Sequence, residues 1–179
     1  PVTLEPGGKS PTLVAPGFSV QRAAETILWG KCLNSGQTCV APDYLFLPEG
    51  SEQQFIEQAR SAVARSYPGP PGSNPDYSCM TNARQLARVE ALLADAHDKG
   101  AQIVALADAE EARRAGKLAP HLVLNVREDM QIMQEEIFGP LLPVLAYREL
   151  EQALDYINAH ERPLALYLFD EDEVRVEQV

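Results

Sequence analysis

Apolar residues at Val20, Ala23, Ala24, Ile27 and Leu28 recur with the three-to-four-residue spacing of one helix face. That spacing predicts a helix over 19–33, with the Ser19 hydroxyl placed to cap its N-terminus. The same period returns at Phe55, Ile56, Ala59, Ala62 and Val63 within 51–65, at Leu86, Val89, Leu93 and Ala96 within 82–99, and again in "ELEQALDYINAH". Gly100 ends the third of these helices. Between the helices lie short apolar runs, "DYLFLP", "AQIVALA", "HLVLNV", "LLPVLAY" and "LALYLF". These are too short for core helices and read as strands. Residues 2–15 read as two extended segments separated by a turn at "GGKSP", because paired glycines and a proline break a helix. The segment 66–78, "SYPGPPGSNPDYS", has four prolines in 13 residues and is expected to be a surface loop.

Strands that are apolar on both sides and alternate with helices belong to a mostly parallel sheet covered on both faces. The predicted fold class is therefore α/β, a three-layer α/β/α sandwich with a mostly parallel, twisted sheet. A length of 179 residues, 45% of them hydrophobic, is enough for one packed domain over 1–179. A formal net charge of −11 argues against nucleic acid or an anionic membrane surface as a partner. Cys32, Cys39 and Cys79 form an odd set without CxxC spacing, so neither a disulfide framework nor a metal site is expected. Together with the absence of an 18-residue apolar run or a basic-apolar leader, this fits a soluble protein in a reducing, cytoplasmic setting. The chain opens on "PVTLEPGG" without a Met and stops in "EDEVRVEQV", an amphipathic turn or two, and is expected to be a piece of a longer protein.

Candidate chemistry begins at "NSGQTC", 34–39, which puts a thiol at a helix-to-strand junction. A reactive cysteine needs a partly exposed site rich in backbone N–H groups, which such a turn supplies. A buried, inert thiol is the competing reading for Cys39 and the favoured one for Cys32 and Cys79. A Cys-His pair is weakly indicated: His97 lies near a helix end, His121 opens a strand and His160 sits in a polar helix end, so each reads as a surface or capping residue. Glu5 closes an apolar segment before "PGGKSP" and is either a cleft carboxylate or a solvated one. In "MQEEIFGP", Glu135 and Glu136 precede Phe138 and the stop signal Gly139-Pro140. Two carboxylates there could bind sugar hydroxyls while the ring lies on a flat cofactor, or the segment could be an ordinary loop with a core phenylalanine. "GGKS" lacks the four-residue spacing of a phosphate-binding Walker loop, which sets aside nucleoside triphosphate chemistry.

Taken together, "LEPGGKSP", "NSGQTCVAPDY" and "MQEEIFGP", with 34 positions from Glu5 to Cys39 and 97 from Cys39 to Glu136, resemble the catalytic domain of the aldehyde dehydrogenase superfamily. The resemblance runs over essentially the whole chain. "GQTCVAPDY" and "RPLALY" are similar to the branch of fatty, aromatic and coniferyl aldehyde dehydrogenases. It implies that Cys39 is the nucleophile, Glu5 the carboxylate that activates the hydrolytic water or takes the thiol proton, Glu136 the residue that holds the nicotinamide ribose, and Phe138 the ring beside the nicotinamide. It further implies an aldehyde substrate, NAD or NADP bound mainly by a dinucleotide domain outside this chain, and a homo-oligomeric full-length protein, dimer or tetramer. The family's second oxyanion donor, an asparagine side chain, likewise lies outside this chain. No GxGxxG fingerprint occurs here, so the segment alone is expected to lack dehydrogenase activity. Pro6 departs from the family, which carries an apolar residue with a backbone N–H at that place. The alternatives are a cofactor-independent thiol esterase acting through Cys39, and a non-catalytic module with an unreactive Cys39.

Overall fold

The computed structural model describes residues 7–177. Of the two extended segments expected in 2–15, the second is strand β1 (Pro11–Val14); the first, with Glu5 and Pro6, lies outside the described residues. Helix α1 (Val20–Cys32) begins where the sequence placed it, with Ser19 Oγ accepting from the Arg22 N–H at 3.3 Å. There follow β2 (Tyr44–Pro48), α2 (Glu52–Ser66), α3 (Ala83–Asp98), β3 (Gln102–Ala105), α4 (Ala109–Arg114), β4 (His121–Leu124), α5 (Gln131–Gln134), β5 (Leu141–Tyr147), α6 (Leu150–Asn158), β6 (Tyr167–Phe169) and α7 (Glu173–Val176). The periodicity missed α4 and α5, which at six and four residues are too short to show a repeating apolar face.

The six strands form one sheet in the order β3-β4-β5-β2-β1-β6, parallel throughout except for the β3–β4 pair. Alternation along each strand divides the core between the two faces. Val14, Leu45, Leu47, Leu142 and Val144 pack under α1 and α2. On the other face Val123 and Leu141 meet α3 and α5, while Leu13, Tyr44 and Phe46 meet α6. Pro143 is tolerated inside β5 because it sits where pairing passes from β4, whose register ends at Val123, to β2, whose register begins at Val144.

The 66–78 loop is not simply a surface loop. Tyr77 is buried and its hydroxyl donates to the Leu118 carbonyl at 2.7 Å. Lys117 Nζ donates to the Asn74 carbonyl at 2.7 Å, and Glu111 accepts from the Gly72 N–H at 2.7 Å. Prolines deny this loop a ladder of its own, so side chains from neighbouring segments satisfy its backbone.

Candidate active site

Adjacency in the sheet assembles the three motifs. "GGKS" runs into β1, "NSGQTC" leads toward β2 and "EEIFGP" runs into β5, and these strands are neighbours in the order β5-β2-β1. All three segments therefore meet at the N-terminal ends of their strands, opposite to the carboxyl-end crevice where open α/β sheets usually bind ligands.

A part-buried ion pair joins them. Lys9 Nζ lies 2.5 Å from Asp43 Oδ2 and also donates to the carbonyls of Ile132 at 2.8 Å and Glu135 at 3.0 Å. The other Asp43 oxygen accepts from the Ile137 N–H at 3.0 Å, and the Asp43 N–H donates to the Ser10 carbonyl at 2.8 Å. Lys9, set aside as a phosphate lysine, and Asp43, unremarked inside "APDY", are thus among the residues the sequence reading missed. The signal was present as one charged residue on the doorstep of each apolar strand.

The nucleophile turn is built from unusual backbone. Asn34, Ser35 and Gly36 follow α1 with φ of 49°, 53° and 73°, a left-handed run that reverses the chain. At Gly36 the conformation and the space both require glycine, because a Cβ would fall onto the Gly139 carbonyl and 3.1 Å from that of Lys31. Ser35 Oγ donates to the Ser78 carbonyl at 2.5 Å. Gln37 is a clamp: its amide nitrogen donates to the carbonyls of Asn34 (2.9 Å) and Cys79 (3.1 Å), and its oxygen accepts from the N–H and hydroxyl of Thr81 (2.8 and 2.7 Å). Cys39 then sits exposed in a turn closed by Ala41 N–H donating to Thr38 O at 3.1 Å, and Tyr167 donates to Val40 O at 2.6 Å. Among the described residues no backbone hydrogen bond uses the Cys39 N–H.

Of the other thiols, Cys32 is buried as expected, with burial pushing its pKa up to about 12. Cys79 is not: it is exposed, because the 78–81 segment lies along the surface where Gln37 grips it. The histidines do not serve Cys39. His97 is exposed beside Asp98, and His160 is exposed, stacked on Tyr156. His121 is buried rather than on the surface, since β4 is an interior strand; its Nδ1 lies 2.7 Å from Ala119 O, and burial lowers its pKa.

Glu135 and Glu136 diverge. Glu135 turns outward to Arg88 at 2.9 Å, and the same guanidinium donates to the Ile137 carbonyl, fixing the segment from α3. Glu136 is half-buried beside Gly7, where a Cβ would stand 2.8 Å from its Oε2. Burial raises its pKa, with the Gly8 N–H, Lys9 and Lys31 pulling the other way. It opens on a cavity of about 440 Å³ lined also by Gly7, Gly8, Lys9, Tyr44 and Tyr156. Phe138 is not a core residue: it is 38% exposed, on a backbone with φ of 47°. Among the described residues no cluster of side chains could hold a metal ion, and no helix is long and apolar enough to cross a membrane.

Residues 1–179 match the aldehyde dehydrogenase family along their whole length. The chain belongs to that family. It is 49% identical over 179 residues to a probable coniferyl aldehyde dehydrogenase of Pseudomonas aeruginosa, all of this chain against 37% of that protein. A coniferyl aldehyde dehydrogenase of a Pseudomonas species is 46% identical over 182 residues, again all of this chain, against 38% of its length. The chain thus spans less than two-fifths of these curated relatives. Among solved structures, the substrate-bound state of Staphylococcus aureus AldH superposes with a TM-score of 0.86 at 37% identity, covering 96% of this chain and 36% of that one. Other neighbours, at TM-scores of 0.83 and 0.82, are complexes with NADP and with NAD+. The mostly parallel sheet between helical layers is the fold shared with these aldehyde dehydrogenase family neighbours.

Proposed function

We propose that this chain is the thiol-bearing part of an NAD(P)+-dependent aldehyde dehydrogenase that oxidises an aldehyde, of aromatic coniferyl type, to its acid. The observation that carries the reading is the exposed Cys39 on a clamped turn, assembled against the Glu136 segment by the Lys9–Asp43 pair. Cys39 gives up its S–H proton to a base, a role Glu5 could also take, its sulfur adds to the aldehyde carbon, the C–S bond forms, and the carbonyl π electron pair moves to oxygen. The unused Cys39 N–H is one donor for that oxyanion. As the oxyanion collapses, the C=O bond re-forms, the aldehydic hydrogen departs with the C–H bonding pair as hydride, and a thioester remains on Cys39. Water then attacks the thioester, releasing the acid and the thiol. Glu5, outside the described residues, is the carboxylate assigned to activating that water.

The residues present fit the nicotinamide ribose end of a dinucleotide. Glu136 offers a half-buried acceptor for ribose hydroxyls, Gly7 leaves the room beside it, and Phe138 presents an exposed ring. NAD(P)+, when bound, accepts the hydride. The substrate class rests on the coniferyl aldehyde dehydrogenases among the relatives, and the cofactor on neighbours solved with NADP or NAD+. A homo-oligomer and a cytoplasmic setting, where the three free thiols stay reduced, complete the proposal.

The test uses the full-length protein. Cys39→Ser is expected to lower kcat/KM by at least about 10³-fold while thermal stability changes little, because the side chain is exposed. Coniferyl aldehyde is expected to outrank straight-chain aldehydes in kcat/KM. A Cys39→Ser enzyme that still reduces NAD(P)+ at the wild-type rate would remove the thiol from the mechanism.

A further inference from the structure

His121 has no part in the chemistry above, yet it is a costly residue where it stands. It opens β4, an interior strand that continues as Leu-Val-Leu, and is 6% exposed. An apolar residue would fill that place without giving up the hydration of an imidazole. The ring is also held in one form. The Ala119 carbonyl, 2.7 Å from Nδ1, can only accept, so Nδ1 carries the proton. Burial lowers the pKa of the ring and keeps it neutral near pH 7, which leaves Nε2 as a bare lone pair. Among the described residues no group donates to that nitrogen.

The lone pair meets open space. Among the described residues, the side-chain polar atoms sealed from solvent without a partner are Ser10 Oγ, Thr12 Oγ1 and Lys31 Nζ, and His121 Nε2 is not one of them. The space beside the ring is a cavity of about 480 Å³ between α3, β3 and α4. That volume falls within the roughly 300–1,000 Å³ of small-molecule sites. Apolar lining comes from Leu93 and Ala94 on α3, Ile103 on β3 and Leu118 ahead of β4. The charged lining is Glu90, with Arg113 at 3.8 Å, Glu110, and Asp98 with His97 at 3.4 Å. Three carboxylates against one guanidinium repel an anion. No lining residue is shared with the cavity at Glu136.

We propose that this cavity is a second small-molecule site, for an uncharged aromatic molecule of phenol type whose ring lies against Leu93, Ile103 and Leu118 and whose hydroxyl donates to His121 Nε2. Each part of the ligand answers one feature of the site. The apolar lining takes the ring, the bare nitrogen requires a donor, and the acidic lining rejects a carboxylate. A phenol, with a pKa near 10, keeps its proton at neutral pH and is a better donor to an imidazole nitrogen than an alkanol. An ether of the same ring has no proton to give. The inference stands apart from the roles given to Cys39 and Glu136.

The experiment uses the full-length protein and para-bromophenol, with para-bromobenzoate and para-bromoanisole as the charged and the donor-free comparisons. Soaked crystals are read by bromine anomalous scattering, and the same compounds are titrated calorimetrically into wild type, His121→Leu and Leu93→Trp. The heat lost in Leu93→Trp, whose indole fills the cavity from α3, reports this site, because that change leaves the Cys39 region untouched. The expected result is bromine beside His121 with para-bromophenol alone and a Kd of about 1 mM or tighter. His121→Leu should weaken that Kd about fivefold or more. No bromine in this cavity, equal occupancy by para-bromoanisole, or a Kd unchanged in His121→Leu overturns the proposal. So does bromine in the crystal without the matching heat, which is binding at crystal concentration only. A cavity filled in the full-length protein by chain beyond these residues excludes the probe and overturns it too. Should His121→Leu not be recovered folded, Leu93→Trp and the bromoanisole comparison decide.

Discussion

Gly36 helps set the turn that carries the nucleophile. Its left-handed φ, and the Gly139 carbonyl lying where a Cβ would stand, leave no space for a methyl group. Gly36→Ala is expected to cost at least about 2 kcal/mol, combining a left-handed alanine with displacement of the 137–140 segment. Urea unfolding checks the energy, and slower alkylation of Cys39 should accompany it. Lys31 works in the opposite direction. Its pKa, lowered from 10.5 to about 8 by burial, means that keeping the charge inside opposes folding by about 3 kcal/mol at neutral pH. The penalty is fully present below pH 8 and is relieved as pH rises from 8 toward 10.5, where the unfolded chain also loses the proton. The Tm advantage of Lys31→Met over wild type should therefore be largest near pH 7 and shrink through that window in calorimetry.

At the scale of elements, the site depends on three strand entrances held in one plane. The Lys9–Asp43 pair does this from within, since its oxygens and ammonium reach segments ahead of β1, β2 and β5 and the carbonyl of Ile132 in α5. Asp43→Ala strips a part-buried Lys9 of its carboxylate and orphans the buried Ile137 N–H, and is expected to cost about 2 kcal/mol or more. Replacing both, as Lys9→Met with Asp43→Leu, should recover part of that loss in a double-mutant cycle by denaturant unfolding. Helix positions were legible because each long helix carries an apolar stripe, and for α1 the Ser19 cap was legible too; the structure adds Asn82, which caps α3 by accepting from the Gln85 N–H. The four residues of α5 had no such stripe. Their conformation comes from burial of Ile132 and Met133 against α3 and from Asp95 accepting the Gln131 N–H at 2.8 Å.

Over the whole molecule, large apolar side chains remain outside the core, with Trp29 at 64% exposure and Leu33, Val40, Leu164 and Val174 also exposed. Uncovered apolar surface of this kind favours association. The 179-residue chain is expected to self-associate in a sedimentation run, and a monodisperse monomer would count against this. Trp29, the single tryptophan, offers an independent readout. Its emission should lie at the red, solvent-exposed end in dilute chain and shift to the blue if its face becomes covered in the full-length oligomer.

The sequence by itself determined the order of elements, the two-sided burial of the strands and the family, because apolar period and motif chemistry are local properties readable along the chain. It also isolated Cys39, Glu136 and Phe138 as candidates. Only the tertiary structure decided that Glu136 and not Glu135 turns inward, that Cys79 is exposed and His121 buried, and that Lys9, Gln37 and Asp43 belong to the same site. The reason is the strand order: β5, β2 and β1 are far apart in sequence and adjacent in the sheet, so the charges at their entrances become partners only when the sheet is assembled.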